Sequence, residues 1–308
     1  MSLLDTAPIL PPAAVQALAR ASLHDLFKGG PAIDFTRPAG EPALVPPSSV
    51  SWRVFKNPLT LFIGGVAAVI LELAEPRVRA GVWNFTSFRS DPLTRLRHTG
   101  LAAMITVYGA RGEAEAMIAG VRRMHEKISG VADNGQAYRA TDPQLLDWVQ
   151  ATAAFGFLNA YHRYAHPLAP AERDRYYGEG LDAAALYGAT GAPHSEAEIA
   201  AFFRGMSPRL TRSDVIFEFL SIMRRAAVFP APLRPAQRML VRAAVELTPL
   251  AIKRKLGLTH AGLRMGEETL VKLAARFADR LLLEVSPAVQ ACRRMGLPDD
   301  YLYRRERT

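Results

Sequence analysis

Residues 90–109 read SDPLTRLRHTGLAAMITVYG, and this stretch carries the signals that decide the fold. Asp91 can accept hydrogen bonds from the free N–H groups of a first helical turn, and Pro92 fits there because that turn needs no donor. Gly109 follows the apolar run and is a typical stop signal for a helix. The stretch therefore predicts a helix from Pro92 to about Tyr108.

Similar signals recur in both directions from this helix. The segment after Gly112 begins with glutamates, which suit the positive end of a helix dipole, and it ends at Gly130. A start signal at Asp142-Pro143 predicts a helix that continues to about Tyr164. Helices are also expected at residues 13–26, 59–73, 170–178, 196–204, 213–226, 235–246, 267–283 and 287–295. No stretch alternates apolar and polar residues for long enough to build a sheet, so the predicted fold class is all-α.

The chain divides into an arm and a body. Residues 1–50 are rich in proline and glycine, which predicts an extended N-terminal arm that wraps the body. Residues 51–308 are predicted to form a single large helical domain, since a chain of 308 residues can bury a sizeable core. The most apolar segment, 59–73, is shorter than the ~20 residues that span a bilayer, so we expect a buried core helix.

Charge and cysteine content restrict the partners and the compartment. The net charge is +9 and the sequence pI is about 9.9. Arginines are spread over nearly every helical segment instead of forming one stripe with aromatic residues, so no nucleic acid partner is expected. Weak association with an acidic membrane surface agrees better with this charge. The single cysteine, Cys292, and the lack of an export signal after Met1 predict a cytoplasmic protein.

One histidine falls on an apolar helix face. His125 lies four residues after Val121 and three before Ile128, so it shares their apolar stripe. An imidazole directed into an apolar core is either hydrogen-bonded there or bound to a metal. The pattern alone leaves both interpretations open.

A second group of polar residues lies on the helix that starts at Pro92. Arg95, His98 and Thr99 are spaced so that they share one helix face. If that face is buried, the guanidinium needs an anionic partner, which a protein carboxylate or a bound carboxylate would supply. A solvated face is the alternative interpretation.

Zinc is a poor fit to this sequence. One cysteine excludes a cysteine-based ligand set. The only pair of histidines at helical spacing, His162 and His166, leads directly into Pro167 and lacks the glutamate of a metalloprotease motif. We interpret this pair as the basic end of a surface helix.

Five segments, in order, resemble the family that joins fungal MpaB oxygenases and bacterial rubber oxygenases, the latex-clearing proteins. The resemblance covers about residues 50–250, and the ordered set is more specific than any one segment. The segments are LELAEPRV at 71–78, FRSDPLTRLRHT at 88–99, RRMHEKISG at 122–130, YRATDPQLLDWV at 138–149 and PLAPAERD at 167–174.

The resemblance implies a globin-like packing of helices around a slot for haem b. It implies that His125 is the proximal ligand of the haem iron, and that Arg95 and Thr99 line or support the pocket. Rubber oxygenases carry a lysine where this chain has His98. His98 would therefore act as a sixth iron ligand, as a distal hydrogen-bond donor, or as a packed residue. Glu72 and Glu75 lie within the first matched segment, and the resemblance assigns a role to neither.

The function that the resemblance implies is a haem-dependent oxygenase. It would use molecular oxygen to cleave or oxygenate a C=C bond of an apolar, isoprenoid or lipid-like substrate. The sequence identifies no redox partner. Two alternatives stay open: a haem-binding sensor or storage protein without turnover, and a haem-free helical lipid-binding protein. Aromatic residues that would line a substrate tunnel, or simply pack in the core, are Trp83, Phe85, Phe155 and Phe157.

Overall fold

A computed structural model of the chain describes residues 8–13, 16, 33–229 and 234–304. Its helices confirm the all-α prediction and form a single domain. The helix predicted at 13–26 falls almost entirely outside the described residues. The helices are α1 (Val50–Phe55), α2 (Pro58–Glu72), α3 (Pro76–Phe85), α4 (Pro92–Tyr108), α5 (Arg111–His125), α6 (Pro143–Ala160), α7 (Pro170–Glu179), α8 (Leu181–Tyr187), α9 (Glu196–Met206), α10 (Asp214–Arg225), α11 (Arg234–Leu247), α12 (Leu250–Lys255), α13 (Glu267–Arg280) and α14 (Pro287–Arg294).

Helix α2 is the centre of the domain. It packs most extensively on α6, and also contacts α11 and α13. The two helices approach so closely because glycine faces glycine at their crossing. A Cβ atom added at Gly64 would lie 2.8 Å from the carbonyl oxygen of Gly156 and 2.8 Å from the Cα atom of Phe157. The backbones themselves are therefore in contact at this crossing.

Residues 33–49 run over the body without forming a helix or a strand, and they are tied to the far end of the chain. Arg294 of α14 is buried and donates to the carbonyl oxygens of Phe35 (2.9 Å), Glu41 (2.9 Å) and Tyr108 (2.7 Å). Each of its three guanidinium nitrogens thus satisfies one carbonyl group. This residue joins the arm, α4 and α14.

Helix α5 ends earlier than the sequence predicts. It stops at His125, and the chain then forms a short hairpin of β1 (Ser129–Val131) and β2 (Ala137–Arg139). Gly130 lies in β1 opposite Tyr138, where an added Cβ atom would meet the tyrosine hydroxyl at 3.0 Å. Gly130 therefore serves close strand packing instead of capping the helix, and His125 becomes the last helical residue.

The helix from Pro143 is α-helical to Ala160 and continues as a π-helical turn over Tyr161–Ala165, so it ends close to Tyr164, as the sequence predicts. A π-helical turn holds one more residue than an α-helical turn and is often associated with functional or constrained positions. Here it places Tyr161 beside Asp279 of α13, with 3.2 Å between the phenolic oxygen and the carboxylate. The turn is one of the main contacts of α13 with the domain.

In the described part of the chain, no single helix is long and apolar enough to cross a membrane. Helices α2 and α3 would reach that length and hydropathy only as a pair, and they meet at a bend of 115°. Most of α2 is buried within the domain, as the sequence predicts.

The α2–α6 crossing yields a stability prediction. Replacing Gly64 by Ala should lower the free energy of unfolding by about 1–3 kcal/mol, because the new methyl group meets fixed backbone atoms. Replacing Gly100 by Ala is the matched control: this residue lies within α4 with nothing within 4 Å, so helix propensity should raise stability by up to about 1 kcal/mol. Urea unfolding followed by circular dichroism measures both changes. Equal effects of the two replacements would contradict the assigned contact.

Candidate functional site

His125 is half-buried at the C-terminal end of α5. Burial is the main cause that lowers the pKa of its imidazole, and the nearby Arg95 guanidinium lowers it further. The side chain is thus held neutral near physiological pH, the form in which an imidazole nitrogen can bind a metal. Its neighbours on α5 differ in exposure: Ile118 is buried, whereas Met124, the residue before His125, is 58% exposed.

Arg95 extends from α4 towards the interior. Burial lowers the pKa of its guanidinium, while the carboxyl group of Glu72 acts in the opposite direction. The guanidinium carbon lies 5.7 Å from the ring centre of Phe88. Its Nε atom is buried and has no hydrogen-bond partner among the described residues. A buried cationic N–H group without an acceptor is costly, so this donor fits an oxygen atom of a bound molecule.

Glu72, the last residue of α2, completes the group. Although the residue is partly exposed, protein surrounds its carboxyl group, and this burial raises its pKa from the usual 4.5 to about 7; Arg95 opposes the rise. Glu72 therefore exchanges a proton near neutral pH. The residue pattern alone assigns Glu72 no role, because its burial depends on helices far away in the sequence.

Aromatic side chains border this group on one side. Phe88 stacks on Trp83 with 6.3 Å between ring centres and meets Phe219 edge-on at 5.5 Å. The indole Nε1 of Trp83 is buried without a hydrogen-bond partner in the described structure. The site therefore combines three ionisable groups, from α2, α4 and α5, with an apolar wall formed by α3, its following loop and α10.

Two residues singled out with Arg95 in the sequence do not share its burial. His98 and Thr99 are exposed, although they follow Arg95 on the same helix. The hydroxyl group of Thr99 donates to the carbonyl oxygen of Arg95 at 2.9 Å. His98 interacts electrostatically with Asp91, the residue that caps α4. The structure thus brings Arg95 together with His125 and leaves His98 and Thr99 facing solvent; their pocket roles stay predictions.

Other candidate features lie elsewhere in the fold. His162 accepts a hydrogen bond from the backbone N–H of Leu168 at 2.9 Å and lies 3.1 Å from Arg173. Both ring nitrogens of His162 therefore contact other residues of the fold. Among the described residues, no three His, Cys, Asp or Glu side chains lie close enough together to hold a metal ion. A cleft of about 300 Å³ between α6, α7, α9 and α12 contains Phe155 but none of the four predicted site residues.

The comparison with family models identifies the class of protein. The model described as ER-bound oxygenase mpaB/B'/Rubber oxygenase, catalytic domain, matches residues 52–280. This match covers most of the chain, and the chain therefore belongs to this oxygenase family, which confirms the resemblance seen in the sequence. Glu72, Arg95 and His125 all lie inside the matched region. Searches of curated proteins and of solved structures found no match.

Glu72 yields a prediction of pH dependence. Its pKa is higher in the folded chain than in the unfolded chain, so the unfolded state releases the proton first and stability falls as pH rises from about 4.5 to about 7. The full effect is about 3 kcal/mol. Glu72→Gln, which cannot ionise, should remove this decline.

The comparison requires unfolding free energies from urea titrations across that pH range for both proteins. Glu115→Gln, which removes an exposed carboxylate on α5 that pairs with Arg111, is the matched control and should keep the wild-type profile. If the wild type and Glu72→Gln show the same pH profile, the carboxyl group of Glu72 is not desolvated as described.

Proposed function

We propose that this chain is a haem b-dependent oxygenase that acts on an apolar, isoprenoid or lipid-like substrate, with His125 as the axial ligand of the iron. The observation that carries the proposal is a half-buried, neutral imidazole beside a buried guanidinium whose Nε lacks an acceptor, in a chain of an oxygenase family. Bound haem would supply the iron at which molecular oxygen is activated.

The polar residues suit two parts of such a cofactor, its iron and its propionate groups. The lowered pKa of His125 keeps a lone pair available on its imidazole. Arg95 stays charged, and its planar fork with an unpaired Nε donor matches a carboxylate such as a haem propionate. Glu72 can hold or release a proton at its carboxyl group near neutral pH, since its pKa is about 7.

The apolar wall supports the substrate class. Trp83, Phe88 and Phe219 offer aromatic surface beside the polar group. A hydrocarbon chain would gain binding free energy from burial against this surface, at about 25 cal/mol for each Å² removed from water. A polar substrate would lose its hydration there without finding enough hydrogen-bond partners. An elongated alkene with few polar groups is therefore the substrate that we propose.

His125 provides the first test. Purified wild-type protein should be red with a Soret absorption band, and His125→Ala should lose that band because the axial ligand is gone. His194→Ala is the matched control: His194 is exposed and pairs with Glu198, so its haem content should equal that of the wild type. An unchanged haem content in His125→Ala would rule out the ligand assignment, and colourless wild-type protein would favour the haem-free lipid-binding alternative.

Arg95 provides the second test. Arg95→Leu should weaken haem binding by about 10–100-fold, the usual value of a hydrogen bond to a charged group. Arg97→Leu, two residues along the same helix, is the control and should bind haem as the wild type does. Apo-protein titrated with haemin, followed by absorption, gives both affinities. Equal affinities in Arg95→Leu and the wild type would contradict the proposed pairing.

Turnover separates an oxygenase from a haem sensor or storage protein. The ferrous protein should bind carbon monoxide, which requires an exchangeable iron site, and should consume oxygen when an isoprenoid alkene is added. Mass spectrometry should then detect oxygenated or carbonyl products. Carbon monoxide binding without oxygen consumption would favour the sensor alternative. An iron that does not bind carbon monoxide would indicate that His98 occupies the sixth coordination position.

A further inference from the structure

Helix α13 exposes large apolar side chains on the face opposite the core. Val271, Ala275 and Ala278 are buried against the rest of the domain. On the other side, Leu270, Leu273 and Phe277 are 56%, 60% and 56% exposed. Their spacing of three and four residues places them on one stripe. We call this stripe, Leu270–Leu273–Phe277, the outer face of α13.

The outer face is a concentration of apolar surface, not a scatter of single residues. Nine large hydrophobic residues are exposed in the described chain, and three of them form this stripe. A fourth, Met265, lies in the loop just before α13. Isolated exposed hydrophobic residues are ordinary, but a contiguous patch indicates a surface that binds a partner.

The charges around the stripe favour an anionic partner. The carboxylates of α13 are already engaged by cations of the fold: Glu267 by Arg242, Glu268 by Arg163 and Lys272, and Asp279 by Lys56. By contrast, Arg276 is exposed next to the stripe and has no ion-pair partner among the described residues. The helix thus offers apolar side chains together with an unneutralised cation, in a chain of net charge +9.

We propose that the outer face of α13 docks the protein on an anionic phospholipid bilayer. An interfacial helix binds such a surface by burying its apolar stripe at the level of the headgroups, with Lys and Arg beside it on the phosphates. The bilayer is therefore the occupant that the charges support.

Docking by this face is compatible with the proposed chemistry but does not depend on it. Helix α13 is held at the N-terminal end of α2, where the Asn57 side-chain amide donates to the carbonyl oxygen of Ala275 at 2.9 Å. Glu72 lies at the other end of α2. A bilayer surface would give the protein access to apolar substrates, which partition into membranes. Changes on the outer face should leave the haem site intact.

Vesicle co-sedimentation of the full-length protein tests the proposal. Wild-type protein should bind vesicles of phosphatidylcholine mixed with phosphatidylglycerol, bind vesicles of phosphatidylcholine alone more weakly, and lose the difference at high salt. Leu273→Ser/Phe277→Ser should lower binding to the mixed vesicles by about tenfold or more. Arg276→Glu should lower binding to the mixed vesicles by about fivefold or more and leave binding to phosphatidylcholine alone unchanged.

The β1–β2 hairpin supplies matched controls. Val131→Ser and Arg139→Glu change an exposed apolar and an exposed basic residue there, and both should bind vesicles as the wild type does. Absence of binding by the wild type, or equal losses in the hairpin controls, would overturn the proposal. So would a dimer in light scattering that Leu273→Ser/Phe277→Ser dissociates while vesicles stay unbound, since a second copy would then cover the face.

Haem measurements on the same proteins keep this proposal separate from the oxygenase proposal. Leu273→Ser/Phe277→Ser should retain the haem content of the wild type, because the outer face is remote from His125 in the chain and lies on another helix. His125→Ala should still bind the mixed vesicles. If vesicle binding disappears with His125→Ala, the docking surface is not the outer face of α13.

Discussion

Backbone contact between α2 and α6 is the constraint on which the domain depends. Where Gly64 meets Gly156, no side chain separates the two helices, so their crossing is fixed by main-chain atoms and not by adaptable side chains. Helices α11 and α13 then pack on α2, and Glu72 occupies the end of the same helix. The position of the candidate site relative to the core therefore follows from one close crossing.

The site itself depends on desolvation that three helices create together. Glu72, Arg95 and His125 come from different helices, and burial is the largest influence on the pKa of each. Burial keeps the imidazole uncharged and raises the pKa of the carboxyl group to about 7. The guanidinium keeps its charge, and its Nε–H group has no acceptor among the described residues. The haem proposed above carries a metal and acidic groups, and these three side chains are the ones that would bind it.

Local signals predicted most helices, because capping residues and proline act within one turn. The start at Asp91-Pro92 and the end at Tyr108 are as predicted, and Asp91 does accept from the N–H of Thr94. The early end of α5 could not be read from the sequence, since it depends on Gly130 facing Tyr138 across a hairpin. The exposure of His98 has the same origin: helical spacing defines a shared face, but only tertiary packing decides how deep that face lies.

Arg294 links parts of the chain that the family boundaries separate. It lies beyond residue 280, where the family match ends, and it binds carbonyl groups of Phe35 and Glu41, which precede residue 52, where the match begins. A fragment cut at those boundaries would lack Arg294, the buried donor to the carbonyl group of Tyr108 at the end of α4. The region matched by sequence similarity is thus smaller than the region that these hydrogen bonds tie together.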